Sequence, residues 1–203
     1  MKLASILLTI LLVNIVSCDF VNQIYYDNIK NECNDQYNSV YSYETDVCSE
    51  FTKYQCDYSN NRVIALYYKD KFCSKLQGTQ YIPFDECGTG SIISNCSSEP
   101  YMPENSYSQF TFTSDCDGKL PISVFSAPLN TCFGVDSFYF YTCNSTDLTE
   151  NFYTINQSSG SLSGSSTSIG EQCQPQYLMD TSYVHVSKSI SCQKDQIITI
   201  CNN

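Results

Sequence analysis

The sequence predicts an all-β protein built as two tandem, disulfide-stapled, β-sandwich-like modules that arose by internal duplication. Three observations carry this. Thirteen cysteines stand in a chain of 203 residues, and twelve remain once Cys18 is assigned to an N-terminal leader. Runs rich in Tyr, Phe, Val, Ile and Thr end repeatedly in Cys and are followed by Asn, Asp or Gly. And the stretches SVYSYETDVC and SVFSAPLNTC, ending at Cys48 and Cys132, say nearly the same thing twice.

The leader comes first. MKLASILLTILLVNIVSCDF sets one positive charge, Lys2, before an apolar run from Leu3 to Val16, with small residues at Ser17 and Cys18. This is the pattern of a secretory signal peptide, its apolar stretch too short for a spanning helix. Cleavage after Cys18 leaves Val16 and Cys18 at the −3 and −1 positions; the rival reading is a lipobox in which Cys18 is lipidated. No other stretch approaches the roughly 20 apolar residues that cross a bilayer, and DQIITICNN lacks a lipid-anchor signal. A secreted, extracellular protein without membrane insertion is expected.

Twelve cysteines in an exported chain form a disulfide framework. They fall into two sets: Cys33, Cys48, Cys56, Cys73, Cys87, Cys96, then Cys116, Cys132, Cys143, Cys173, Cys192, Cys201. The spacings run 15, 8, 17, 14, 9 and 16, 11, 30, 19, 9. The discordant 17 against 30 is accounted for by the 13-residue tract SSGSLSGSSTSIG, residues 158–170, read as a flexible loop insertion. CGTGSIISNC then matches CQKDQIITIC, and NQIYYDNIKNEC lies at the position of NSYSQFTFTSDC. The expected organisation is a leader over 1–18, a six-Cys module over 19–98, a linker over 99–105 in SSEPYMPENS, and a second module over 106–203. Six cysteines allow 15 connectivities, and spacing does not choose among them. A single fused sandwich built from both copies is the alternative architecture.

Within each module the strands come as hairpins. EFTKYQC-DYSNN-RVIALYYKDKFC, DSFYFYTC-NSTD and FTFTSDC-DGK-LPISVF show the device, with alternation such as Phe138 and Phe140 against Tyr139 and Tyr141. In this rhythm, and in its Asn, Ser, Tyr and Cys content, the whole mature chain resembles the small secreted cysteine-rich proteins of social amoebae. The resemblance implies secretion; it implies no activity and transfers no residue role.

The residues offer little to catalysis. His185, in SYVHVSK, is the one histidine and has no G-x-S-x-G serine to serve. Asp85 and Glu86 are adjacent on an extended segment and point apart. Asp115 and Asp117 around Cys116 lack the later ligands of a calcium loop. The closest cysteine spacings are Cys48 to Cys56 and two C-x8-C pairs, too wide for zinc. No catalytic residue, cofactor or metal is therefore expected. Sequons at Asn95, Asn144 and Asn156 make glycosylation candidates.

Without Lys2, nine Lys or Arg face 21 Asp or Glu, a net charge near −12 that argues against nucleic acid. Seventeen Tyr and no Trp supply amphipathic rings for a core or for a binding surface. The expected function is a secreted non-catalytic protein whose paired modules bind a cell-surface, matrix or glycan partner. The alternatives are a secreted inhibitor or signalling ligand and, behind these, a glycoside hydrolase.

Overall fold

The computed structural model describes residues 19–26, 33, 36–113, 120–134, 137–154, 173–190 and 197–202. Thirteen strands run through them. The first half of the sequence forms β1 (Phe20–Tyr26), β2 (Tyr37–Glu44), β3 (Thr52–Asp57), β4 (Arg62–Tyr68), β5 (Leu76–Pro83) and β6 (Ile92–Ser97). The second forms β7 (Ser106–Thr111), β8 (Ser123–Pro128), β9 (Cys132–Phe133), β10 (Phe138–Cys143), β11 (Asp147–Tyr153), β12 (Leu178–His185) and β13 (Ile198–Asn202). No α-helix occurs among the described residues, and the protein is all-β as its β-branched and aromatic runs require.

A six-stranded antiparallel sheet, in the order β13-β7-β8-β2-β1-β6, takes three strands from each half. The halves meet at β2 and β8, where Val40 opposes Ser126, Tyr41 opposes Phe125 and Ser42 opposes Val124. Because SVYS and SVFS present the same residue types at these positions, the pairing reads alike from either strand. The flanking registers also agree: Val21 sits opposite Tyr43 and Cys96, while Tyr107 sits opposite Ala127 and Cys201.

One alignment expected from the sequence is corrected. Matching NQIYY to NSYSQ sets Asn22 against Asn105, but the register places Gln23 (opposite Tyr41) where the second half has Gln109 (opposite Phe125). The stretch from that glutamine to the first cysteine is ten residues in one half and seven in the other. Connections tolerate such length changes, whereas a slip of the strand would turn its buried face outward.

Two smaller antiparallel sheets, β3-β4-β5 and β9-β10-β11-β12, pack on the central one. Each main hairpin turns on an Asx residue just past a cysteine. Asp57 Oδ1 accepts from the Asn60 N–H at 3.3 Å, and Asn144 Oδ1 accepts from the N–H groups of Thr146 (2.8 Å) and Asp147 (2.9 Å). Cys56 then opposes Val63, and Cys143 opposes Leu148; both apolar partners are fully buried. A bulge at the end of β4 and another at the end of β11 bring in β5 and β12 with matching sequences, LQGTQYIP and LMDTSYVH.

Aromatic rings fill the space between the layers. Tyr41 and Phe125 meet at 5.0 Å across the junction of the halves, flanked by Tyr43–Tyr54 at 4.9 Å and Tyr107–Tyr141 at 4.7 Å. Tyr107, Leu129, Phe133, Tyr141, Leu148 and Val186 form one buried cluster. On the opposite face of the central sheet, the Tyr101 N–H donates to Asn22 Oδ1 and Ser42 Oγ, and the Ser106 hydroxyl donates to the Pro103 carbonyl. The 99–105 segment is thus tied down onto the sheet.

Five bridges are described: Cys33–Cys87, Cys48–Cys73 and Cys56–Cys96, then Cys132–Cys173 and Cys143–Cys201. Counted within its own half, each pair is first-to-fifth, second-to-fourth or third-to-sixth, and the second half repeats the latter two. Cys116 and Cys192, the 158–170 tract and Asn156 lie outside the described residues.

Candidate functional site

Among the described residues, those singled out for chemistry do not converge; Asp115 and Asp117 lie outside the described residues. His185 ends β12 opposite Asp147, exposed, with Val184 and Val186 turned inward. Asp85 accepts from Asn95 Nδ2 at 3.2 Å, while Glu86 is exposed and stands apart. No group of three or more His, Cys, Asp or Glu suited to a metal occurs among the described residues, and no helix there is long and apolar enough to cross a membrane.

The sequons differ in environment. Asn95 is engaged at both ends of its amide, donating to Asp85 and accepting from Asn22 Nδ2 at 3.1 Å. Asn144 is exposed and uses only its oxygen in the turn. A hollow of about 350 Å³ lies beside Asn95, but its polar groups are spent on each other and on the 99–105 segment.

A different feature stands out at the far end of the first half. Ser49 and Thr52 exchange reciprocal backbone hydrogen bonds of 2.9 and 2.8 Å, closing a two-residue loop. Both residues inside it are left-handed, Glu50 at φ 45° and Phe51 at φ 69°. Loops of this kind favour Asn-Gly, because a side chain in this conformation crowds the backbone at a cost of roughly 1–2 kcal/mol per residue. Glu-Phe is a poor occupant. The surroundings impose it: the Phe51 carbonyl accepts from the Tyr68 N–H at 2.7 Å, and the Cys48–Cys73 bridge ties the loop's approach to the β4–β5 connection.

The loop, β4 and β5 enclose an open cleft of about 460 Å³. Phe51, Tyr67 and Tyr68 supply aromatic surface; Glu50, Thr52 and Gln77 supply polar groups. Gly78 lines the wall with open space where a side chain would stand. The Tyr67 hydroxyl is held by donation to Gln80 Oε1 at 2.7 Å, which fixes its ring at the cleft edge.

The connection beside the cleft, residues 69–75, reads KDKFCSK. Asp70 organises it, its carboxylate accepting from the N–H groups of Phe72 (3.1 Å), Ser74 (3.2 Å) and Lys75 (2.8 Å). This leaves Lys69, Lys71 and Lys75 exposed and Phe72 76% exposed. Lys53 joins them from β3, its Nζ 5.9 Å from the Tyr68 ring, and Lys71 Nζ lies 5.2 Å from the Phe72 ring. Among the described residues none of these four ammonium groups is in an ion pair; Arg62 with Asp57, at 2.8 Å, is.

Sequence reasoning missed this end of the molecule. Averaging the charge gives −6 over residues 19–100 and −6 over residues 101–203, and hides the clustering of four of the chain's ten cations here. The signal was three lysines within seven residues of an acidic chain. In the second half the corresponding connection carries the 158–170 tract and no lysine at all between Tyr153 and Leu178.

No curated protein and no solved structure matches the chain. The family model described as counting factor-associated protein A/B/C matches residues 1–203, which bears out the resemblance to secreted proteins of social amoebae. The chain belongs to the counting factor-associated protein A/B/C family.

Proposed function

We propose that the chain is a secreted, non-catalytic protein that binds an extracellular partner, a protein or glycan of the cell surface or matrix, through the Phe51 cleft. The observation that carries this reading is the left-handed Glu50-Phe51 loop at the cleft mouth. Backbone strain of this kind persists only where the surroundings over-determine it, and it concentrates at ligand-binding sites. The cleft brings together aromatic faces, an amide and a carboxylate, a set suited to holding a ligand. Its lining carries no histidine or cysteine.

The leader over 1–18 and the even set of twelve mature cysteines support export. The family's description names an association with counting factor, and on this reading the chain takes part in that association outside the cell. The repeated register and bridge order support a duplication of 19–98 into 106–203, with the cleft belonging to the first copy.

The test is equilibrium binding of labelled mature protein to intact cells and to conditioned medium of the source organism. Saturable binding that is lost in Phe51→Gly is expected. Turnover of a polysaccharide or peptide mixture by the purified protein would overturn the non-catalytic reading.

A further inference from the structure

We infer that the ligand of the Phe51 cleft is an anionic glycan, a sugar chain bearing sulfate or phosphate esters; this rests on the cleft being the binding site. Three features of the first half argue for it together. The cleft volume of about 460 Å³ falls in the range of small-molecule sites and fits one or two sugar rings rather than a folded partner. Its lining pairs aromatic surface from Phe51, Tyr67 and Tyr68 with Glu50 and Gln77. A sugar ring asks for this combination, since its C–H face packs on aromatic rings while its hydroxyls exchange hydrogen bonds with carboxylate and amide.

The third feature is the lysine collar. The whole chain carries a formal charge of −11, which by itself repels polyanions. Charges farther than about 8 Å are largely screened at physiological ionic strength, so a ligand at the cleft responds to its local field. None of the four lysines lines the cleft itself: Lys53 follows the lining residue Thr52 on β3, and Lys69, Lys71 and Lys75 stand on the connection between the lining residues Tyr68 and Gln77. Against them stand Glu50 in the lining and Asp70, which is already engaged by backbone donors of its own loop. Exposed ammonium groups without carboxylate partners suit ester oxygens. The acidic remainder of the surface then serves to orient the ligand, leaving one end of the molecule attractive to it.

The same lysines with exposed Phe72 would also suit a lipid headgroup surface. The glycan is favoured because the polar lining of the cleft, Glu50, Thr52 and Gln77 beside the aromatic rings, matches the hydroxyls and C–H faces of a sugar and has no role at an anionic bilayer.

The probe is a heparin tetrasaccharide, measured by isothermal titration against full-length mature protein. The controls are a neutral maltose-series oligosaccharide of equal length and phosphatidylserine–phosphatidylcholine vesicles. Binding is expected for the sulfated probe alone, weakening with added salt. Affinity should fall about tenfold or more in Lys71→Glu/Lys75→Glu and again in Phe51→Gly. Sulfated-probe binding that survives Phe51→Gly would reduce the effect to diffuse charge and overturn the inference. So would vesicle binding without glycan binding. If the protein ignores all three probes yet still binds cells through Phe51, the anionic-glycan inference fails while the binding role of the cleft stands.

Discussion

Replacing Phe51 by glycine and by alanine separates a strained binding loop from an ordinary packed phenylalanine. At φ 69°, Phe51 carries the cost of a left-handed L-residue, roughly 1–2 kcal/mol, which glycine relieves and alanine does not. Both variants forfeit the buried half of a ring that is 49% exposed, about 1 kcal/mol. Glycine also loses about 0.5–1 kcal/mol more to the freedom of the unfolded chain. Phe51→Gly should therefore fall within about 1 kcal/mol of the parent. Phe51→Ala should be less stable than Phe51→Gly by about 0.5–1 kcal/mol, the reverse of their usual order within strands and helices. Urea denaturation followed by tyrosine fluorescence reads this directly, since the chain has no Trp. Both variants should fold and both should lose cell binding. If alanine proves at least as stable as glycine, the loop is not left-handed at Phe51 and the argument from strain collapses. A loss above about 3 kcal/mol in both, the range of a truncated core phenylalanine, would make the residue structural.

Leu148 is fully buried among Tyr107, Phe133 and Tyr141 and beside the Cys143–Cys201 bridge, so its pocket cannot readily collapse. Leu148→Ala should cost about 3–5 kcal/mol and lower Tm by about 10 °C. Because β2 and β8 join the halves in one sheet, calorimetry should show one cooperative transition; a second, unshifted transition would mean the halves unfold separately. Peptide mapping without reduction should find Cys116 bridged to Cys192, the first-to-fifth pair that Cys33–Cys87 makes in the other half, and any other partner for Cys116 contradicts the repeat. Burial pushes the Tyr141 hydroxyl up to about 12 and raises that of Tyr107 as well. The folded chain therefore keeps protons that the unfolded chain releases near pH 10, so this contribution is full below about pH 10 and lost as pH rises toward about 12. Denaturant midpoints that stay level from about pH 9 to about pH 11 would refute that linkage.

Much of the fold was legible because cysteines and turn residues constrain the backbone locally. The Cys-Asx rhythm located the hairpins at Asp57 and Asn144, and the SVYS and SVFS repeat marked two equivalent segments, which lie in β2 and β8. What was not legible depends on contacts distant in sequence. That β2 and β8 pair with one another is a choice of edge, and nothing local to either strand specifies it. The Gln23–Gln109 equivalence was hidden by a length change in a connection. The Glu50-Phe51 loop was invisible for a sharper reason: its residues contradict the turn they occupy, and the Ser49–Thr52 and Tyr68 hydrogen bonds with the distant Cys48–Cys73 bridge hold it there. Tyrosine split between roles that composition cannot separate, with Tyr107 and Tyr141 in the core and Tyr67 at the cleft edge.

Hydrogen–deuterium exchange of the mature protein, free and bound to its partner on isolated cell-surface material, tests the binding site most directly. The account predicts added protection concentrated in two peptides, one spanning Ser49–Thr52 and one spanning Lys69–Gly78, with β10 to β12 of the second half unchanged. Protection confined to the second half, or spread evenly over the exposed strands β5 and β12, would contradict a binding site at the Phe51 cleft.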